Sequence, residues 1–194
     1  MPIGRNPRFG ALSKRRLQSD SYLDCAKSIG ALNDETFNVW SHFIGALLFS
    51  ASAVRFTLSC PNPLPGDARI ILRYLVAATS CFSFSTLYHL FANHAQASLW
   101  QRIDHLGIVT VIWASSMSLI IFSFRCEYGT QRAYVAIVTV LAVLSLFRIW
   151  RSHPADRWGR IATHIAFGGS ATLPAVHLLY RETSEIESSL LRAF

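Results

Sequence analysis

The sequence predicts an all-α integral membrane protein, and three observations carry that prediction. Hydrophobic residues make up 52% of the 194-residue chain and charged residues only 15%. The charges are also bunched: no Asp, Glu, Lys or Arg occurs in 36–54, 74–101, 105–124, 133–147 or 161–180. A helix rising ~1.5 Å per residue needs about 20 apolar residues to cross a hydrocarbon core. The gaps therefore place five spans, roughly 40–59, 70–91, 104–123, 133–150 and 161–180. A soluble protein with buried core helices would not string such runs together through short polar loops.

Each element follows in order. Residues 1–34 are basic and lack sustained apolar periodicity, so they read as a flexible tail; without an apolar h-region they do not read as a secretory signal. The first span runs to Ser59 with Arg55 inside it. Pro61-Asn-Pro-Leu-Pro65-Gly66-Asp67 cannot continue a helix and makes a tight connection to the second. The third span begins near Asp104, and Cys126-Glu-Tyr-Gly129 turns the chain into the fourth. That span is the shortest, but Arg132 and Arg148 at its ends can snorkel to the interfaces. His153-Pro154-Ala-Asp156 breaks the chain before the fifth span. There Gly168-Gly169 is expected to permit close helix packing, and Pro174 to kink the helix. Residues 182–194 form a short tail. Trp40, Trp100, Trp150 and Trp158 fall near span ends, as in an aromatic belt.

Charge orients the spans. The amino-terminal tail, the loop at Arg102 and the loop holding Arg148, Arg151, Arg157 and Arg160 lie on one side and carry most of the 18 Lys and Arg residues. The positive-inside rule makes that side, and so the amino terminus, cytoplasmic. A net charge of +7 spread over tails and loops suits an acidic leaflet and gives no reason to expect nucleic acid. The 4 cysteines are too scattered for a zinc cluster; Cys60 and Cys126 share the outer side, where a disulfide is an open option.

This topology puts Asn38, His42, Ser85, His89, Asp104 and His164 at one membrane level near the inner side, and chiefly His177 near the outer. Polar groups at membrane depth are costly, so their convergence marks a candidate site. Ser85 and His89 lie one helical turn apart on one face. An imidazole can ligate zinc, a carboxylate can orient the bound water, and a hydroxyl can stabilise developing charge. Each residue also has a plainer reading. Ser85 can bond back to its own helix, Asp104 can cap the third helix, and His89 can be an interface aromatic. His94, His105 and His153 sit in or beside loops and are expected to be solvated.

Three stretches resemble the progestin and adipoQ receptor family, which includes the haemolysin III-related proteins. They are Glu35-Thr-Phe-Asn38-Val-Trp40-Ser-His42-Phe-Ile-Gly45, Ser83-Phe-Ser85-Thr-Leu-Tyr-His89 and Asp104-His-Leu-Gly107-Ile. Gly169-Ser-Ala-Thr-Leu-Pro174-Ala-Val-His177 looks like the family's fifth helix, so the likeness covers about 34–180. It implies a receptor-like, seven-helix protein with a cytoplasmic amino terminus, linked to lipid signalling and to lipid or zinc homeostasis. The complete form would be a zinc-dependent intramembrane hydrolase of lipid amides, of the ceramidase type. By that match His89 is the metal ligand on helix two, and Asp104 and Ser85 are catalytic groups beside the metal-bound water. The implied partners are membrane lipids, a substrate such as ceramide, and an extracellular protein or steroid ligand.

The family places two further zinc-binding histidines, spaced His-x-x-x-His, on helix seven. His164 and His177 belong to the fifth span and do not replace them. The expectation is therefore a chain truncated after the fifth helix, with an incomplete ligand set for Zn2+ and no activity alone. The alternatives are a non-enzymatic signalling or scaffold protein, or an inactive remnant. A channel ranks last, since no charged ring or continuous polar stripe crosses the spans.

Overall fold

The computed structural model describes residues 16, 18–60, 65–153 and 155–193, with side chains as far as residue 183. Much of the basic tail, Pro61 to Leu64 of the first connection, Pro154 and the side chains of the carboxyl-terminal tail lie outside the described residues. The helices are α1 (Tyr22–Lys27), α2 (Thr36–Ser59), α3 (Gly66–Leu90), α4 (Ala97–Ser123), α5 (Tyr128–Arg151), α6 (Arg157–Ala171) and α7 (Leu173–Ala193), with a 3-10 turn over Ser28–Gly30. Among the described residues α2, α3, α4 and α5 are long and apolar enough to cross a membrane. They run back and forth, so the start of α2, the end of α3, the start of α4 and the end of α5 meet at one end of the bundle.

Local chemistry explains the helix limits. Pro65 caps α3, with Asp67 in its first turn beside the positive helix end. Arg148 and Arg151 occupy the last turn of α5, where cations suit the negative end. Asp156 caps α6 by accepting from the Gly159 amide at 2.9 Å. The fifth predicted span is not one continuous helix. It divides at Thr172, between a 15-residue α6 and α7, with Pro174 in the first turn of α7 where its missing N–H costs nothing.

The apolar core is built around α4. Val109, Met117, Ile120 and Phe124 from α4 and its end pack with Val138, Ala142 and Ile149 of α5 and Phe167 of α6. Outward faces stay apolar: Leu47, Leu48 and Leu58 on α2 and Val143, Leu144 and Phe147 on α5 are all exposed. Water would penalise such faces, whereas lipid tails accept them.

Close helix approach occurs elsewhere than expected. Among the described residues, a Cβ at Gly168 or Gly169 would meet nothing within 4 Å. At Gly107 of α4 it would lie 3.0 Å from the Cys81 backbone and 3.3 Å from the Phe84 ring of α3. At Gly45 of α2 it would lie 2.7 Å from the Phe82 ring. Without a hydrophobic force between helices in lipid, small residues at such contacts let backbones approach. The tight contacts therefore join α2, α3 and α4.

Residues 18–34 also depart from the expected flexible tail. The Ser19 amide donates to Asn93 O at 3.0 Å and the Ala95 amide to Ser19 O at 3.1 Å, pinning the segment to the α3–α4 turn. Tyr22 stacks on His94 at 3.8 Å and meets Phe91 edge-on at 4.9 Å. Its hydroxyl bonds to Gln96. His94 is thereby buried, not solvated as expected, and Cys25 of α1 is fully buried as well. Aromatic contacts, not helix periodicity, order this strap. All four cysteines are free thiols, Cys60 and Cys126 included.

Candidate functional site

The polar residues of α2, α3 and α4 meet in two linked groups at the end of the bundle that the strap covers. In the first, the Ser85 hydroxyl donates to Asp104 Oδ1 across the α3–α4 contact. Both residues are buried, at 7% and 8% exposure. The other serine and threonine hydroxyls of α3 behave differently. Thr79, Ser80, Ser83 and Thr86 each bond back to the carbonyl four residues earlier. Ser85 alone among them reaches another helix, which rules out its plainer reading. Asp104 is no cap either, because α4 begins at Ala97 with Gln96 as its N-cap. A buried carboxylate is costly without partners, so this pair is a specified contact. Gly107, one turn beyond Asp104, is what lets the two backbones come close enough.

In the second group His89 Nδ1 lies 2.7 Å from Glu35 Oε2. Asn38 Nδ2 donates to the same oxygen at 2.9 Å. The His42 ring stacks on His89 with centroids 5.3 Å apart and planes 7° from parallel. Arg16 of the strap closes this group from outside, donating to the carbonyls of His89 at 2.5 Å and Leu90 at 2.9 Å. A cation there also suits the carbonyl end of α3. Glu35 stands just before α2, partly buried. Burial pushes its carboxyl up, but the hydrogen bonds from Asn38 and His89 and the charges of His89 and Arg16 carry it below its ordinary value.

A third contact lies beside these. His105, expected to be solvated, is part of α4, and its Nδ1 lies 2.9 Å from His164 Nε2 on α6. His164 Nδ1 is buried without a hydrogen-bond partner among the described residues. Arg160, one turn earlier on α6, is buried and donates to His153 O at 2.9 Å. His177 sits at the opposite end, 2.9 Å from the Tyr134 hydroxyl.

Glu35 and Arg16 are the residues that sequence reasoning missed. Glu35 stands inside a quoted motif, but an acid at a helix start reads as a dipole complement. Arg16 lies in a stretch with no periodicity to place it.

A profile of the haemolysin-III related proteins matches residues 31–192. The chain belongs to that family. It is 29% identical over 163 residues to the adiponectin receptor protein of Drosophila melanogaster, covering 81% of this chain and 37% of that one. It is 27% identical over 165 residues to progestin and adipoQ receptor-like protein 1 of Caenorhabditis elegans, covering 82% and 38%. Against human progestin and adipoQ receptor family member 3 it is 27% identical over 173 residues, covering 80% and 53%. The chain thus spans roughly a third to a half of the length of these relatives. Family and apolar helices together make it an integral, multi-pass membrane protein.

The resemblance implies zinc, and the described residues do not by themselves fit the ion. No three His, Cys, Asp or Glu side chains among them converge as ligands. What they offer is one oriented imidazole. Glu35 holds His89 Nδ1, leaving Nε2 as the remaining ring nitrogen. A carboxylate on one ring nitrogen is the arrangement that fixes the tautomer of a ligating histidine.

Proposed function

We propose that this chain carries one part of a lipid-handling site in a receptor-like membrane protein of the haemolysin-III related family. The complete protein would hydrolyse a lipid amide such as ceramide with zinc, and the strap-covered end would face the cytoplasm. One observation carries the reading: at membrane depth a buried hydroxyl is held on a buried carboxylate, Ser85 on Asp104, one turn from an imidazole oriented by Glu35. Within this chain Asp104 fixes the Ser85 hydroxyl and can take up a proton, while Glu35 fixes the His89 ring. The names of the matched relatives support the receptor part.

The test is binding of a fluorescent ceramide to the chain in phosphatidylcholine nanodiscs, with zinc content measured on the same samples. Saturable binding that weakens about tenfold in both His89→Ala and Asp104→Asn supports the site. Equal binding after combining the two substitutions sinks it. A second reading, a non-enzymatic signalling protein whose polar contacts only join helices, is supported by the same pairs, since Ser85–Asp104 joins α4 to α3 and Glu35–His89 joins the start of α2 to α3. It requires both substitutions to lower stability and leave ceramide binding intact.

A further inference from the structure

The opposite end of the bundle carries a groove between α3 and α4 of about 540 Å³, inside the ~300–1,000 Å³ range of small-ligand sites. Val76 and Ala77 of α3 and Thr110 and Trp113 of α4 line it, and Arg69 and Arg73 stand at its mouth. A smaller crevice of about 220 Å³ shares Arg73 and Trp113 and continues toward α5. The Trp113 indole donates to Thr139 of α5 at 3.1 Å, which holds this wall in place.

The two arginines are four residues apart, so they share a helix face. Both are exposed, and neither makes an ion pair among the described residues. The nearby acids are engaged elsewhere: Asp67 with Arg125 at 2.9 Å, and Glu127 with Arg181. The unresolved charge lies early in α3, with Arg73 about 10 Å along the axis from the helix start at ~1.5 Å per residue. From there a long guanidinium side chain can snorkel outward to the level of the lipid headgroups.

We propose that this groove binds a membrane phospholipid, its phosphate held by Arg69 and Arg73 and one acyl chain lying along the α3–α4 groove. Guanidinium groups recognise phosphate oxygens through paired N–H donors, and an anion here completes two charges that the protein leaves open. Lipid tails are as apolar as the groove wall, so burying a chain gives shape fit but little preference. Selectivity must then come from the phosphate contact. The site is at the other end of the bundle from Ser85 and Asp104 and stands or falls separately from the proposed function.

The test is native mass spectrometry of the 194-residue chain released from detergent with dioleoylphosphatidylglycerol, dioleoylglycerol or oleate as probe. Phosphatidylglycerol adducts should be retained about tenfold over dioleoylglycerol, and combining Arg69→Gln with Arg73→Gln should remove that preference. Thr110→Trp, which fills the groove and keeps the charges, should lower phosphatidylglycerol retention. Arg125→Gln, altering a cation already paired with Asp67, should leave it unchanged. Unaltered retention in the double variant, equal loss in Arg125→Gln, or preference for oleate over phosphatidylglycerol would overturn the proposal. So would a dimer that Thr110→Trp dissociates, because the groove would then seat a second copy.

Discussion

The two ends of this bundle are held by different forces. At the strap-covered end the helices meet through polar pairs: Ser85 with Asp104, Glu35 with His89, His105 with His164. At the other end α4 and α5 meet through Ile120, Phe124 and Val138, and the ion pairs Asp67–Arg125 and Glu127–Arg181 lie outside that core. Packing of apolar side chains is tolerant of its neighbours, but a buried hydroxyl and carboxylate demand one geometry. The apolar end supplies cohesion, and the polar end fixes which groups face each other. Gly107 ties the polar end to its packing, since it sets the α3–α4 separation at which Ser85 reaches Asp104.

The largest expected effect is at that link. Gly107→Leu would drive a branched side chain into the Cys81 backbone, and the folded yield in detergent should collapse. Gly107→Ala should cost about 1–3 kcal/mol, with a Tm loss of about 2–4 °C for each kcal/mol. Gly168→Ala, with nothing within 4 Å, should leave Tm within about 2 °C of the parent. Equal losses at the two glycines would mean that α3 and α4 are not the tight pair.

Next come the two ends compared directly. Ile120→Ala removes a fully buried side chain from the apolar core and should cost about 2 kcal/mol, the lower end of soluble-core values because lipid replaces water. Ser85→Ala combined with Asp104→Leu removes the hydrogen bond without leaving a carboxylate buried and unpaired, and should cost about 1 kcal/mol. Thermal denaturation in one detergent ranks them. A loss in that double variant larger than that of Ile120→Ala would reverse the assignment of cohesion to the apolar end.

The sequence made the membrane class legible because charge-free runs are long-range, redundant signals; α2 to α5 each survive the misreading of any one residue. Which end of the bundle each polar residue occupies was legible for the same reason, and Asn38, His42, Ser85, His89 and Asp104 do meet at one end. What remained hidden was pairing. Nothing in the spacing says that Ser85 bonds forward to α4 while Ser83 bonds back to Thr79. The strap was hidden because single aromatic contacts such as Tyr22 on His94 have no periodicity. Gly168-Gly169 looked like a packing motif, but composition alone cannot tell a glycine that faces a neighbour from one that faces open space.

The strap sharpens the comparison with a smaller effect. Arg16→Ala removes three side-chain hydrogen bonds, to His89 O, Leu90 O and Ser28 Oγ, without touching the bundle core. Amide exchange over residues 18–30 should accelerate while α4 and α5 remain protected. Uniform acceleration across all helices would show that strap and bundle open together.

The smallest effect is the pH response of Glu35, whose folded-state carboxyl lies below its ordinary value of 4.5. A carboxyl depressed on folding contributes stability above that ordinary value and loses it as pH falls through the lower folded one. Protection of the strap and of the first turn of α2 should therefore hold steady above pH 4.5 and decline below it. Glu35→Gln should flatten that decline while keeping a hydrogen-bonding side chain toward His89. Because Asn38, His89 and Arg16 all lower the same carboxyl, removing Arg16 alone should shrink the acid response without erasing it. An undiminished acid response in Glu35→Gln would transfer the titration to another group at the same end.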